Sequence, residues 1–227
     1  MSSITLLVAD DHTVIRSGIC ALLRNEPDFN IIGEAKSGRE AVLLARQLSP
    51  NVLIMDLAMP LLNGAEATRQ VTRECPDTKV IILSSYQDDV HIEASMSSGA
   101  AAYLLKATAA SEIIDAVREV NKGSAYFSPA VAERLRAQSL SKLGAHKQDA
   151  LKLLSTREAE VFQLIAEGFS NKQIAGELNI SIKTVEKHRQ SLMGKLDIHC
   201  IAGLTRHAAR NGIIETLSSR EVLSPAR

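Results

Sequence analysis

The chain has 227 residues, 45% of them apolar, which is comfortable for two compact domains. No run approaches the roughly 18 uninterrupted apolar residues of a membrane span, and no basic segment leads into an apolar one at the N-terminus, so a soluble, cytoplasmic protein with no membrane partner is expected. Cys20, Cys75 and Cys200 form no CxxC pair, which argues against a disulfide framework or a zinc site, and 3% aromatic residues with no Trp argue against base-stacking on single strands.

The charges sum to zero but are unevenly spread: residues 1–128 carry −5, 129–150 carry +2 and 151–227 carry +3. An acidic first part followed by a mildly basic second part suits a cation-binding module joined to a nucleic-acid reader.

In chain order, Ile4 to Ala9 is an apolar run ending in Asp10-Asp11, and Val14, Ile15, Ile19, Leu22 and Leu23 give a helical pattern behind it. Asn30 to Ala35 predicts a second strand, and Ala41, Leu44, Ala45 and Leu48 a second helix closed by Pro50. Val52-Leu-Ile-Met-Asp56 is a short apolar run without alternation, the pattern of a strand buried on both faces, and it delivers one carboxylate to its C-terminal end. Ala67, Val71 and Cys75 mark a helix after Gly64, and Lys79 to Leu83 a fourth strand ending in Ser84-Ser85. A helix through Val90, Ile92, Ala94 and Met96 leads to a fifth strand, Ala100 to Leu105, ending in Lys106. Ile113, Ile114, Val117 and Val120 line the helix that follows. Five such units predict a five-stranded parallel (βα)5 sheet with helices on both faces.

Asp10, Asp11, Asp56, Ser84 and Lys106 then all fall at one sheet edge, the edge where open α/β sheets carry their chemistry. Three neighbouring carboxylates repel one another unless a cation lies between them, and a hard ion with oxygen ligands, Mg²⁺, answers that need. With Mg²⁺ and Lys106 screening its charge, Asp56 can attack phosphorus and form an acyl phosphate, while Ser84 donates a hydrogen bond to a phosphoryl oxygen.

These residues, with Met59-Pro60, Gly64 and Tyr103-Leu-Leu-Lys106, resemble a response-regulator receiver domain over residues 1–125. The resemblance implies that Asp10, Asp11, Asp56 and the Ala58 backbone carbonyl hold Mg²⁺, and that a sensor histidine kinase donates the phosphoryl group to Asp56. It also implies that Ser84 and Tyr103 form a switch pair. Ala107 stands where many receivers have proline, so no cis peptide is expected there.

Residues 126–150 read as a linker with a short helix through Val131, Leu135 and Leu140. Beyond it, Ser155 and Glu158, then Ser170 and Gln173, have capping-box spacing before two apolar-periodic segments. Asn179-Ile-Ser181 is a tight connection into a longer helix, Ile182 to Leu196, giving a helix-turn-helix. On a 100° wheel Val185, His188, Leu192 and Leu196 share one side, with Lys183, Lys187 and Gln190 opposite and Glu186 and Ser191 at the flanks. Such a face can enter the major groove of double-stranded DNA.

Leu154-Ser-Thr-Arg-Glu158, Gly168, Asn171-Lys-Gln-Ile-Ala175 and Thr184-Val185 resemble the all-α four-helix DNA-binding domain of NarL/FixJ and LuxR-type regulators over residues 151–216. The resemblance implies that Glu158 is a structural anchor, that Lys172 and Thr184 meet phosphates, and that Glu186, Lys187 and Gln190 face bases. A last helix from His199 to Asn211 would be a dimer surface, and 217–227 a tail. The whole chain then reads as a two-component response regulator whose phosphorylated form is a homodimer, and not as an enzyme. Two alternatives stand beside it: a phosphorylation-independent DNA binder with a vestigial receiver, and an aspartyl-phosphate phosphatase or phosphotransferase. Ala58, two residues after Asp56, lacks the second carboxylate that a DxD phosphotransferase needs.

Overall fold

The computed structural model describes residues 3–108, 110–141 and 153–214. The chain divides into two compact units, Met1–His146 and Lys147–Arg227.

In the first unit the elements are β1 (Ile4–Ala9), α1 (Thr13–Arg24), β2 (Phe29–Ala35), α2 (Gly38–Leu48), β3 (Val52–Asp56), α3 (Gly64–Glu74), β4 (Lys79–Ser84), α4 (Asp89–Ser97), β5 (Ala102–Leu105), α5 (Ala110–Asn121), β6 (Tyr126–Phe127) and α6 (Pro129–Ser141). The strands form one sheet in the order β2-β1-β3-β4-β5-β6, every neighbouring pair parallel. Successive side chains of a strand point to opposite faces. Leu7, Leu53, Met55, Val80, Ile82 and Tyr103 therefore join one apolar layer, with Ala41 and Val42 of α2, Ala67 and Val71 of α3 and Ile92 of α4. Leu6, Val8, Val52, Ile54, Ile81, Leu83 and Leu104 join the other, with Ile19 and Leu23 of α1 and Val117 of α5.

The sheet has six strands where five were expected. Tyr126 pairs with Ala102 and Phe127 with Tyr103, so the first residues of the expected linker extend the sheet. A two-residue strand leaves no periodicity to read. Val131 is fully buried in the apolar layer that holds Tyr103, with Leu135 packed against it, and Arg134 lies 3.4 Å from Asp89 of α4. The rest of the expected linker, from residue 142, and the expected tail at 217–227 lie outside the described residues.

Three expected apolar helix positions are exposed: Val14 at 86%, Val90 at 46% and Leu48, the last residue of α2, at 37%. Each sits in the first or last turn of its helix, where an apolar residue extends the pattern without being fully covered by the core. The peptide bonds of the described residues are trans, the one before Ala107 included.

The second unit is helical: α7 (Thr156–Ala166), α8 (Asn171–Leu178), α9 (Ile182–Leu196) and α10 (Ile201–Arg210). Both expected capping boxes form, Ser155 with Glu158 and Ser170 with Gln173. Asn179 ends α8 in the left-handed region at φ 53, a conformation asparagine tolerates, and so makes the tight turn into α9. Val161, Phe162, Leu164 and Ile165 of α7, Ile174 and Leu178 of α8, Val185 and Leu192 of α9 and Leu204 of α10 are buried. Among the described residues no helix is long and apolar enough to cross a membrane.

Candidate functional site

The C-terminal ends of β1, β3 and β5 bring Asp10, Asp56 and Lys106 together, and Ser84 ends the neighbouring strand β4. Asp56 is the last residue of β3 and 4% exposed; Asp10, just past β1, is 1% exposed. Lys106, just past β5, places Nζ 2.8 Å from Asp10 Oδ2 and 2.9 Å from Asp56 Oδ2. One ligand atom from each of Asp10, Asp11, His12 and Asp56 can be chosen so that all lie within 4.8 Å of one another.

The turn after β3 is held by close backbone approach. Gly64 donates its N–H to the Leu57 carbonyl at 2.8 Å, and a Cβ at Gly64 would lie 2.2 Å from the Asp56 carbonyl oxygen. A Cβ at Gly38 would meet the Leu62 carbonyl oxygen at 2.1 Å. The loop carrying Ala58, which is half-buried, is thus clamped between the starts of α2 and α3.

The electrostatics follow from burial. Removal from water pushes the Asp56 carboxyl up to about 7; Lys106 opposes this, and Asp10 and Asp11 add to it. Burial acts to lower the Lys106 ammonium, yet Asp56 and Asp10 hold it above the ordinary lysine value. Asp10, Asp11 and Asp56 against one ammonium leave excess negative charge. Asp10 Oδ2 and Asp11 Oδ1 are buried, with Lys106 Nζ 2.8 Å from the first and His12 Nδ1 2.9 Å from the second. A pocket of hard carboxylate oxygens with excess negative charge is what a divalent cation would complete.

Ser84, the fully buried last residue of β4, accepts a hydrogen bond on Oγ from the Tyr86 N–H at 3.0 Å. Tyr103 of β5 is also fully buried, and its hydroxyl donates to the Tyr86 carbonyl at 2.7 Å; burial raises this phenol well above its ordinary value. The Tyr86 ring stacks on His91 at 4.1 Å between centroids, and His91 Nδ1 lies 2.7 Å from the Asp88 carboxylate. The two expected switch residues therefore meet through the main chain of Tyr86, which ties them to the start of α4.

In the second unit α9 exposes Lys183, Glu186, Lys187 and Gln190, while Val185, Leu192 and Leu196 are buried and His188 is half-buried. Lys172 is exposed in the first turn of α8. Thr184 is half-buried; its N–H donates to Ser181 Oγ at 3.1 Å, and the two hydroxyls lie 2.8 Å apart. Glu158 of α7 accepts hydrogen bonds from the Ser155 N–H at 2.7 Å, Ser191 Oγ at 2.6 Å and Lys195 Nζ at 2.6 Å. Burial acts to raise this carboxyl, but these donors outweigh it and hold it at about 2.

Two residues escaped sequence reading. His12 belongs to the acidic cluster, and its only signal was that it directly follows Asp11. Arg189 donates to Asn171 Oδ1 at 2.6 Å and so ties α9 to the start of α8. Nothing in a single-helix pattern announces that contact.

Comparison with known proteins decides the family. The response regulator receiver domain family matches residues 6–118, and the luxR family of bacterial regulatory proteins matches residues 152–208. The chain is a LuxR-family DNA-binding response regulator. It is 41% identical over 213 residues to the transcriptional regulatory protein LiaR of Bacillus subtilis, covering 93% of this chain and 99% of LiaR. It is 34% identical to the response regulator protein VraR of Staphylococcus aureus, covering 94% of this chain and 100% of VraR. A solved structure of two RcsB dimers bound to two parallel DNAs matches with a TM-score of 0.56 at 26% identity, over 92% of this chain and 98% of that one. This response regulator thus carries a receiver with a parallel sheet and a helical helix-turn-helix domain.

Proposed function

We propose that this response regulator is switched by phosphotransfer from a sensor histidine kinase to Asp56. The phosphorylated form would be a cytoplasmic homodimer that reads double-stranded DNA through α9 and controls transcription. The observation that carries the reading is the buried Asp56 carboxylate at the end of β3, within 2.9 Å of Lys106 and beside Asp10 and Asp11. Mg²⁺ fits the pocket because its donors are hard carboxylate oxygens whose charge Lys106 alone does not offset. Asp10, Asp11, Asp56 and the Ala58 carbonyl would hold it, and when bound it would supply charge neutralisation at the phosphoryl oxygens.

The chain's own residues do the rest. An oxygen of Asp56 attacks phosphorus, the bond from phosphorus to the kinase histidine nitrogen breaks, and that imidazole leaves with the electron pair. Lys106 gives up part of its hold on Asp56 to a phosphoryl oxygen. Ser84 exchanges the Tyr86 N–H for the phosphoryl group, to which it donates. Because Tyr103 bonds the Tyr86 carbonyl, that exchange moves the start of α4 and the ring of Tyr103 together. We take residues 1–125 as receiver and 151–216 as reader, in which Lys172 and Thr184 meet phosphates, Glu186, Lys187 and Gln190 face bases, and Lys183 lies on the same groove-facing side of α9. The RcsB dimers solved on DNA support this arrangement by resemblance.

Asp56→Asn tests it. Incubated with acetyl phosphate and Mg²⁺, the wild-type chain should gain one phosphoryl group by mass spectrometry and the variant none. Retained labelling of the variant would overturn the assignment of Asp56.

A further inference from the structure

His12 is the residue before the first turn of α1, with extended backbone at φ −82 and ψ 103, and its side chain makes no capping bond. The imidazole points instead at the acidic pair: Nδ1 lies 2.9 Å from Asp11 Oδ1 and 3.5 Å from Asp10 Oδ1. The position is fixed from the main chain, because the His12 N–H donates to Asp10 Oδ1 at 2.8 Å. Ligand atoms on opposite sides of one first-row divalent ion are about 4 Å apart. The set from Asp10, Asp11, His12 and Asp56, spread over no more than 4.8 Å, needs little contraction to meet one ion.

We propose that His12 is a ligand of the metal pocket and sets its metal preference, favouring divalent transition ions over Mg²⁺. The inference rests on the reading of Asp10, Asp11 and Asp56 as a cation site. Mg²⁺ prefers oxygen and keeps its waters, so an imidazole adds little to its binding. Fe²⁺, Ni²⁺, Cu²⁺ and Zn²⁺ gain from an imidazole donor far more than Mg²⁺ or Mn²⁺ does, and a ring that displaces one water raises their affinity selectively. With its side chain 45% exposed, the ring can turn towards the ion at little cost to packing. The rival role for His12 is to hydrogen-bond Asp11 and orient it without touching the ion.

The test uses the full chain with Mn²⁺ as the sole added metal, read by pulsed electron paramagnetic resonance. The wild-type spectrum should show modulation from a directly bonded imidazole nitrogen, and Asp56→Asn should lose the bound Mn²⁺. His12→Ala and His12→Asn should both abolish the modulation and, in separate titrations, weaken Ni²⁺ about tenfold or more, with Mg²⁺ affinity changed less than about twofold. His12→Asn keeps a hydrogen-bond donor for Asp11, so restored Ni²⁺ affinity in that variant would overturn ligation in favour of orientation. Mn²⁺ bound at the pocket without nitrogen modulation, or with modulation that survives in His12→Ala, also overturns the proposal and leaves the carboxylate site standing. Mn²⁺ binding that ignores Asp56→Asn sinks both.

Discussion

Glu158 offers the sharpest test of the second unit. Its carboxyl is held at about 2 against an ordinary 4.5, which corresponds to about 3 kcal/mol of preference for the charged form in the folded state. Lys195, one of its donors, is 37% exposed, so water screens part of that energy. Glu158→Gln is therefore expected to destabilise the helical unit by about 2 kcal/mol at neutral pH, leaving Lys195 without its carboxylate. The sign with pH follows from the lowered value. A depressed carboxyl contributes fully above its unfolded value near 4.5 and loses that contribution as pH falls towards about 2. The deficit of the variant should accordingly shrink between about pH 5 and pH 2. Urea titration by circular dichroism measures it. Tyr86, Tyr103 and Tyr126 all lie in the first unit, and the chain has no Trp, so tyrosine fluorescence identifies the receiver transition separately. A Gln variant within about 0.5 kcal/mol of wild type at pH 7, or a deficit that does not change with acid, would refute the role given to Glu158.

Gly64→Ala should destabilise the receiver by about 3 kcal/mol, because the new Cβ would sit 2.2 Å from the Asp56 carbonyl oxygen; the tyrosine-monitored transition reads this. Arg189→Ala and Asn171→Ala should each cost the helical unit about 1 kcal/mol and combine less than additively, as a double-mutant cycle on the circular dichroism transition would show. Lys187→Ala should weaken binding to a cognate operator about tenfold or more and relax its sequence preference; an equal loss on unrelated duplex would reassign Lys187 to phosphate contact.

Much of this molecule was legible because its signals are local. A strand buried on both faces writes itself as an uninterrupted apolar run, which located Asp56, and the capping boxes at Ser155 and Ser170 announced two helix starts that the structure reproduces. The meeting of Asp10, Asp56 and Lys106 followed from parallel topology alone, since all three sit past strand ends on one edge. What was lost depends on contacts between distant segments. β6 is two residues long and exists only because β5 offers an open edge. Arg189 takes its place from Asn171, 18 residues earlier. The main-chain link through Tyr86 that joins Ser84 to Tyr103 involves no side chain of Tyr86, so no residue type could signal it.

The short sixth strand has a bearing on solubility. An exposed strand edge is a template on which another chain can pair, and long flat edges seed association. By lying along β5, β6 replaces that edge with one only two residues long, after which the chain turns away into α6. At the opposite end β2 is guarded differently: its pairing with β1 shifts register between Leu6 and Leu7, and its Glu34 holds ion pairs with Arg16 and Arg24 of α1. The receiver sheet is thus blunted at both margins, one by brevity and one by charge, so neither margin offers a long flat edge on which another strand could pair.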